Sequence, residues 1–267
     1  MILKVNSKIH ALKHYIRYAW NSKTKFKIHS PFVFKFITEV LEGSHKGYDN
    51  KTKDLIAHYR SSREKINFAL NAGAGSQEIL KELYRPIQLV DKLGIPAKYG
   101  KVLYALVNNP EIHQVLELGT SIGTSTSYMS AAGNKPIVSI DANADVIAST
   151  KRAFDSFYPN HRVEFVQAYF DDVLDEKING GLRNTLIFID GDHSKDAVLR
   201  YFNLCLQQAE APSIIVFDDI YWSKEMTEAW LAICAHPAVH LSIDLYRIGI
   251  VFFREETLTK EHFTLWY

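Results

Sequence analysis

The chain has 267 residues, of which 47% are hydrophobic, so it is long enough to bury the core of one large domain with an appended region. Its formal net charge of +1 excludes the global attraction to nucleic acid that a strongly basic protein would have. The two cysteines are too few for a disulfide framework, which favours a cytoplasmic location. We expect no membrane span, because no apolar run reaches ~18 residues, and no signal peptide, because the N-terminus lacks an apolar centre and a small-residue cleavage site.

The first 38 residues contain eight lysines and arginines and no acidic residue. Val5, Ile9, Leu12 and Ile16 recur at helical spacing within this segment, which predicts a basic amphipathic helix. The favoured interpretation is a helix that packs its apolar stripe on the rest of the chain and leaves its lysines in water. The alternative is a helix that makes peripheral contact with an anionic membrane or binds an acidic partner.

The region up to residue 100 is predicted to be helical, with glycine clusters between its helices. Residues 73–76 form one such cluster, which we interpret as a turn that feeds a helix over 77–84 and only weakly as a ligand contact. The helical pattern breaks again over 94–100. We therefore divide the chain into an N-terminal helical region, residues 1–100, and a sheet domain, residues 101–267.

From residue 101 onward, apolar runs of strand length alternate with helical patterns, which is typical of a parallel sheet with helices on both faces. The predicted parallel strands are 114–118, 136–141, 163–167, 185–190 and 213–218. After a helix over 224–235, the β-rich runs 239–246 and 248–253 are too close together for a parallel crossover, so they must form a tight antiparallel hairpin. The predicted fold class is therefore α/β, with five parallel strands followed by this hairpin.

The segment from Val115 to Ser125 has the pattern of a buried strand, a glycine turn and the polar start of a helix. Its glycines let the backbone turn sharply and approach a ligand. A dinucleotide loop would have a glycine where Ser121 stands. Instead, Glu117 precedes the turn and Asp141 ends the next strand, where a carboxylate can accept hydrogen bonds from both ribose hydroxyls. The alternative is an ordinary strand-turn-helix connection that contains glycines by chance.

Acidic residues also follow the fourth and fifth predicted strands, at Asp190 and at Asp218 and Asp219. Because the carboxyl ends of parallel strands meet at one edge of a sheet, these side chains should lie close to the glycine turn. Three carboxylates without a counter-charge would repel one another, and a divalent cation such as Mg²⁺, Mn²⁺ or Ca²⁺ would relieve that repulsion. The alternative is that Asp192 and Asp219 cap helices and that Asp190 holds a water molecule.

Glu117, Gly119, Gly123 and the strand-ending Asp141 together resemble the S-adenosylmethionine site of class I methyltransferases. From about residue 95 onward, the chain is similar to the cation-dependent O-methyltransferases of the catechol and caffeoyl-coenzyme A type, while its N-terminal region resembles bacterial methyltransferases of unknown substrate. This resemblance implies a Rossmann-like sheet with strand order 3-2-1-4-5-7-6 and S-adenosylmethionine as the cofactor. The residues that it places at the cofactor are Glu117, Gly119, Thr120, Ser121, Gly123, Ser125, Asp141, Tyr169, Phe170 and Asp190.

The resemblance also implies a metal site of Asp190, Asp218 and Asp219, and a catalytic role for Asp190 and His193, with His193 as the base. Two residues depart from the family's pattern. Asp219 stands where Asn is usual, which adds negative charge, and His193 stands where Lys is usual. A histidine is an adequate base near neutral pH, and the alternative is a histidine that only hydrogen-bonds locally at the start of a helix.

We therefore expect methyl transfer from S-adenosylmethionine to a hydroxyl oxygen of a small-molecule acceptor that a divalent cation positions. Lys98, Tyr99 and Trp222 are expected at the lip of the substrate site. The alternatives are a metal-independent methyltransferase on the same fold and a non-catalytic module that binds a membrane or a partner. A nucleic-acid substrate is not favoured, because the basic residues cluster far from the predicted cleft. The aromatic C-terminus, residues 263–267, is expected to pack either against the body of the chain or against a second copy, so a homo-oligomer stays an open alternative.

Overall fold

The computed structural model describes residues 2–43, 51–67, 83–253 and 259–267, with side chains from residue 9 onward. The described α-helices are α1 (Ile2–Asn21), α2 (Pro31–Lys35), α3 (Lys51–Ser61), α4 (Pro86–Leu93), α5 (Ala97–Val107), α6 (Thr124–Ser130), α7 (Ala144–Phe157), α8 (Phe170–Ile178), α9 (Lys195–Leu206) and α10 (Lys224–Ala235). A 3₁₀ turn over Lys25–Lys27 follows α1, and a π-helical turn over Phe36–Leu41 follows α2.

Two sheets are formed by the described strands, which are β1 (Ile66–Asn67), β2 (Leu83–Tyr84), β3 (Gln114–Leu118), β4 (Ile137–Asp141), β5 (Val163–Gln167), β6 (Thr185–Ile189), β7 (Ile214–Phe217), β8 (Leu241–Asp244), β9 (Gly249–Phe252) and β10 (Glu261–Thr264). The turn predicted at 73–76 lies outside the described residues, as does most of the helix predicted over 77–84. The helix prediction is wrong at its last two residues, because β2 pairs there with β1 and buries Tyr84.

The large sheet has eight strands in the order β10-β8-β9-β7-β6-β3-β4-β5. The five strands β3 to β7 pair in parallel, whereas β9 is antiparallel to both of its neighbours. Counted from β3, the first seven strands follow the order 3-2-1-4-5-7-6. The predicted fold class and strand order are therefore confirmed, and the sheet gains one strand, β10, that the sequence analysis did not predict.

Strand β6 shows why the central strands are continuous apolar runs. Leu186 and Phe188 face one core, together with α5 and α6, while Ile187 and Ile189 face a second core, together with α9 and α10. A parallel sheet covered by helices on both faces leaves no solvent-facing side that would need polar residues. This three-layer arrangement leaves the carboxyl edge of the sheet as the place where polar side chains gather.

The N-terminal helical region shares its core with the sheet. Phe36 and Ile37 of the π-helical turn belong to the same buried cluster as Phe188 of β6. Helix α5 begins at Ala97 and crosses the division that we drew at residue 100. The division at that residue stays a prediction.

The C-terminus packs on the body of its own chain. Strand β10 pairs in parallel with β8, and the amide of Lys23 donates to the carbonyl of Thr264 over 2.9 Å. The buried hydroxyl of Tyr18 donates to the carbonyl of Leu265 at 2.6 Å and accepts from the amide of Tyr267 at 3.0 Å. Helix α1 is thereby fixed to the C-terminal edge of the sheet.

The orientation of α1 differs from the favoured interpretation. Ile9, Leu12 and Ile16 are each more than half exposed, so the apolar stripe faces solvent and the prediction that it packs on the body is wrong. The physical reason lies on the opposite face, where Tyr18 and its hydrogen bonds are buried. Among the described residues, no helix is both long enough and apolar enough to cross a membrane.

Replacing Tyr18 with Phe tests the attachment of α1 to the C-terminus. We expect the free energy of unfolding to fall by about 1 to 2 kcal/mol, because the buried carbonyl of Leu265 loses its donor and cannot turn to water. The matched control is Tyr15→Phe, since Tyr15 lies on the same helix and is 44% exposed. Equal stability of the two variants in urea denaturation would contradict a structural role for the Tyr18 hydroxyl.

Candidate active site

The loop after β3 lies at the carboxyl edge of the sheet, against the loop after β6. Gly119 has a φ of +110°, and a Cβ at this position would lie 1.9 Å from the carbonyl oxygen of Asp190. Only glycine therefore allows the two loops to come this close. Ser121 also has a left-handed backbone, with a φ of 46°, although it is not glycine. The loop is held in a conformation that ordinary residues avoid.

Asp141 fixes the backbone of this loop. Its Oδ2 accepts from the amide of Ser121 at 2.8 Å, and its Oδ1 accepts from the amide of Asn143 at 2.9 Å. Burial raises the pKa of Asp141, while these two backbone hydrogen bonds oppose the rise. Each carboxylate oxygen has a second lone pair, so the side chain can accept a further pair of hydroxyl hydrogens.

Beneath the loop, the fully buried carboxylate of Glu117 accepts three hydrogen bonds. They come from the hydroxyls of Ser125 at 2.5 Å, Thr126 at 2.6 Å and Ser139 at 2.6 Å. The Thr120 hydroxyl lies 2.7 Å from that of Ser139. Burial raises the pKa of Glu117 to about 7, against the opposing effect of the hydroxyls. This network joins β3, β4 and α6, and contact of the Glu117, Thr120 and Ser125 side chains with a cofactor stays a prediction.

The hydroxyl of Ser121 is the unsatisfied group of the loop. Its Oγ is buried and has no hydrogen-bond partner among the residues that the structure describes. Leaving such a group unpaired costs about 1 to 3 kcal/mol. An unpaired hydroxyl beside the spare acceptor sites of Asp141 fits a ligand that carries hydroxyl and amino groups, as the ribose and the methionine end of S-adenosylmethionine do.

Phe170 lies on the other side of the loop after β6. A Cβ at Gly191 would lie 2.7 Å from its ring, and the ring centroid is 5.5 Å from that of Tyr201. Tyr169, the residue before α8, is more than half exposed. The loop after β6 is therefore confined between Phe170 and the glycine turn. Contact of the two aromatic side chains with an adenine ring stays a prediction.

Arg247 is the site residue that the sequence analysis missed. Its Nε lies 2.9 Å from Oδ1 of the fully buried Asp218, and its Nη2 lies 2.7 Å from Oδ2. The same Nη2 is 3.4 Å from Oδ1 of Asp219. Phe217 pairs with Gly249, and this register brings the turn before β9 beside the end of β7. The premise that the carboxylates have no counter-charge is therefore wrong.

The remaining carboxylates of the cluster hold their protons unusually strongly. Burial and the charges of Asp218 and Asp219 raise the pKa of Asp190 well above its ordinary value, with Arg247 opposing them. Burial and the charge of Asp218 raise the pKa of Asp219 to about 6. The Nε2 of His193 lies 3.9 Å from Oδ1 of Asp190. Carboxyl groups with raised pKa values suit proton transfer at this edge of the sheet.

In this arrangement, the carboxylates of Asp190, Asp218 and Asp219 do not fit a site for a divalent cation. Both oxygens of Asp218 are bound by the guanidinium of Arg247, which already supplies positive charge to the cluster. Within the described ranges, no group of three or more His, Cys, Asp and Glu side chains is arranged to hold a metal ion.

Backbone strain gathers at the same edge of the sheet. Among the described residues, six other than glycine have a positive φ, and four of these follow strands at this edge. These four are Ser121, Asp192, Asp219 and Tyr246. Such conformations cost on the order of 1 to 3 kcal/mol each and persist where the surroundings hold them, often at functional sites. The strain is a second sign that the site lies here.

Two of the three residues expected at the substrate lip border the acidic cluster. The hydroxyl of the buried Tyr99 donates to the carbonyl of Leu245 at 3.2 Å, two residues before Arg247. The amide of the half-exposed Trp222 donates to the carbonyl of Asp219 at 2.8 Å. Lys98 instead packs against the C-terminal residue, with its Nζ 4.6 Å from the ring centroid of Tyr267. Substrate contact by these three residues stays a prediction.

Comparison with known proteins gives one family and a set of similar folds. A family model described as a methyltransferase domain matches residues 116–220. An O-methyltransferase from Bacillus cereus, solved with S-adenosylhomocysteine, has a TM-score of 0.53 and 18% identity over 83% of this chain and 97% of that one. The methyltransferase PaMTH1 of Podospora anserina, also bound to S-adenosylhomocysteine, has a TM-score of 0.57 and 14% identity over 85% and 98%.

A third similar structure is the O-methyltransferase TomG of Streptomyces achromogenes, which is involved in tomaymycin synthesis and was solved with S-adenosylmethionine. Its TM-score is 0.55, with 14% identity over 81% of this chain and 96% of that one. No curated protein matches the sequence. The family match spans the glycine turn, Asp141, Asp190 and Asp218. Residues 116–220 therefore match a methyltransferase domain, and the fold of the chain is that of these methyltransferases.

Replacing Glu117 with Gln tests the buried carboxylate through its pH dependence. The pKa of about 7 in the folded chain exceeds the ~4.3 of an unfolded glutamate. The associated stability is therefore fully present below the unfolded pKa and is lost as the pH rises through about 7. We expect the wild type to lose on the order of 2 to 3 kcal/mol more stability than the variant between about pH 4 and pH 8.

The measurement is urea denaturation at several pH values, with the exposed Glu111→Gln as the control. The quantity to compare is the slope of the free energy of unfolding against pH, rather than the absolute stability of each variant. Parallel pH profiles for the wild type and Glu117→Gln would show that the carboxylate titrates normally.

Proposed function

We propose that the protein transfers a methyl group from S-adenosylmethionine to a hydroxyl oxygen of a small molecule, and that Arg247 supplies the positive charge beside the acceptor oxygen. The observation that carries this proposal is the fork of Arg247 on Asp218 inside an acidic cluster at the carboxyl edge of the sheet. Two of the similar structures are O-methyltransferases, which supports a hydroxyl acceptor.

Asp141 and Ser121 are the residues that would hold the cofactor. The spare lone pairs of Asp141 accept hydrogen bonds from the ribose hydroxyls, and the unpaired hydroxyl of Ser121 gains a partner. The cofactor, when bound, would supply an electrophilic methyl group: an O–CH₃ bond forms as the S–CH₃ bond breaks, S-adenosylhomocysteine leaves with the electron pair, and the acceptor oxygen loses its proton. Holding the two reactants in line provides much of the acceleration.

The proton of the acceptor hydroxyl is transferred to the acidic cluster and the histidine beside it. A neutral imidazole at His193 takes up this proton, and Asp190, 3.9 Å away, stabilises the charged ring that results. Arg247 stabilises the negative charge that develops on the acceptor oxygen, since an adjacent cation lowers the pKa of a hydroxyl. Because Asp218 fixes the guanidinium in advance, little reorganisation accompanies the reaction.

The second candidate for the positive charge beside the acceptor oxygen is a divalent cation held by Asp190, Asp218 and Asp219. The charge of Asp218 raises the pKa of both Asp190 and Asp219, and this favours a cation, which would relieve the repulsion. Mg²⁺, Mn²⁺ or Ca²⁺ would require Arg247 to leave Asp218 first. The two candidates differ in their response to a chelator.

Replacing Asp141 with Ala tests the cofactor site. We expect the affinity for S-adenosylmethionine to fall about 30-fold or more, because two ribose hydrogen bonds to a charged acceptor are lost. Isothermal titration measures the affinity, and the exposed Asp175→Ala is the control for loss of one negative charge. Unchanged affinity in Asp141→Ala would remove this residue from the site, and no binding to the wild type would overturn the proposed function.

Turnover with and without chelator tests the role of Arg247. We expect methyl transfer to at least one member of a panel of catechols and simple phenols, with the same rate in EDTA as in added Mg²⁺. Arg247→Gln should lower turnover about 100-fold while the cofactor affinity changes little, since the charge acts on the acceptor oxygen.

Two controls keep this experiment decisive. Arg247→Lys retains a cation and should be impaired less, and the exposed Arg162→Gln should behave as the wild type. Loss of turnover in EDTA that Mg²⁺ restores would favour the divalent cation. Cofactor binding without turnover on any hydroxyl would contradict the acceptor class and leave the cofactor site intact.

A further inference from the structure

The outward face of α1 is an exposed apolar surface. Ile9 and Leu12 are each 59% exposed, Ile16 is 60% exposed and Trp20 is 89% exposed. At 100° per residue, these four side chains lie within about 80° of one another around the helix axis. Phe26, in the 3₁₀ turn that follows α1, is 87% exposed. Single exposed apolar residues are ordinary, but a contiguous apolar stripe marks an interaction surface.

Specific contacts on the opposite face of α1 fix this orientation. His10 Nε2 lies 3.0 Å from the hydroxyl of Thr227, and the Tyr246 hydroxyl donates to the carbonyl of Ala11 at 3.0 Å. The ring of His14 stacks on Tyr221 with centroids 4.9 Å apart. The helix therefore packs through its polar and aromatic face and presents its apolar face to solvent, which is the reverse of an ordinary amphipathic helix.

Cations border the apolar stripe. Lys13 and Arg17 are exposed on α1 and lie about 60° and about 100° from the centre of the stripe, and Lys27 is exposed beside Phe26. No acidic residue occurs among the first 38 residues, so the positive charge here has no acidic neighbour in the same segment. Burial lowers the pKa of His10 and His14 on the packed face. The positive charge is therefore concentrated on the side that faces solvent.

The charge of the surface decides between a bilayer and a second copy of the chain. A two-fold symmetric dimer would place this patch against itself and bring Lys13, Arg17 and Lys27 close to their own copies. Such like charges repel. An anionic bilayer instead attracts the cations, accepts the apolar side chains at the boundary of the acyl chains, and favours Trp20 at the headgroup level.

We propose that this surface binds the face of an anionic lipid bilayer. We define the membrane face as Ile9, Leu12, Ile16, Trp20 and Phe26 with Lys13, Arg17 and Lys27. The packed side of α1 contacts Tyr221 and Tyr246, which neighbour Asp219 and Arg247. Bilayer binding thus takes place next to the candidate active site, and it does not depend on the proposed reaction.

Co-sedimentation of the full chain with vesicles tests the proposal. We expect binding to vesicles of three parts phosphatidylcholine to one part phosphatidylglycerol, weak binding to phosphatidylcholine alone, and release by high salt, which screens the cations. Recovery of the wild type in the supernatant with both kinds of vesicle would overturn the proposal.

A matched pair of leucines tests the apolar contribution. Leu12→Ser should weaken binding about tenfold, since one leucine no longer enters the bilayer. Leu83→Ser is the control, because Leu83 is 52% exposed and lies on β2, whose partner β1 packs against α7. Equal effects of the two substitutions would contradict the membrane face. Leu12 belongs to none of the buried hydrophobic clusters that the described residues form, and thermal unfolding checks that both variants fold.

A matched pair of double variants tests the charges. Lys13→Gln with Arg17→Gln should weaken binding about tenfold or more, whereas Lys53→Gln with Lys65→Gln, two exposed lysines on and after α3, should not.

Sedimentation equilibrium without lipid tests whether the surface instead binds a second copy of the chain. A dimer that Leu12→Ser dissociates, together with no vesicle binding, would assign the surface to self-association and overturn the proposal.

Discussion

The candidate active site depends on the ion pair between Arg247 and Asp218. The carboxylate of Asp218 is fully buried, and a charge removed from water costs several kcal/mol unless it is paired and hydrogen-bonded. The fork of Arg247 compensates that cost with two short hydrogen bonds. Because the guanidinium is itself partly exposed, it can also face a bound molecule. In the proposed function, the antiparallel hairpin therefore has a chemical role as well as a structural one, since its turn brings the arginine to the end of β7.

The two parts of the candidate active site have different chemistry. Around Asp141, backbone amides hold a carboxylate whose remaining lone pairs suit neutral hydroxyl groups. Around Asp218, a cation and several acids with raised pKa values suit proton transfer. Gly119 lets these two regions meet, because its missing side chain allows the turn after β3 to touch the carbonyl of Asp190. The distance between the regions is thus set by backbone packing rather than by flexible side chains.

Much of this fold is predictable from sequence, because a buried parallel sheet produces unbroken apolar runs. The boundaries of β3 and β5 match the predicted ranges, and the short gap before β9 determines the hairpin. Arg247 was missed because a charged residue in a tight turn has no local signal. Its position follows only from the register that pairs Phe217 with Gly249. Strand β10 was missed because Glu261–Thr264 is short and mixed in polarity, and its pairing with β8 is a long-range contact.

Helix α1 was misread for a different reason. The rule that an amphipathic helix buries its apolar stripe assumes that the protein itself supplies the apolar partner. Here the body of the protein offers hydroxyl groups and aromatic rings instead, from Thr227, Tyr221 and Tyr246, and these match the polar face. A sequence that breaks a local rule generally does so where another requirement prevails. For α1 we propose that this requirement is contact with the bilayer, because the described residues leave its apolar stripe exposed.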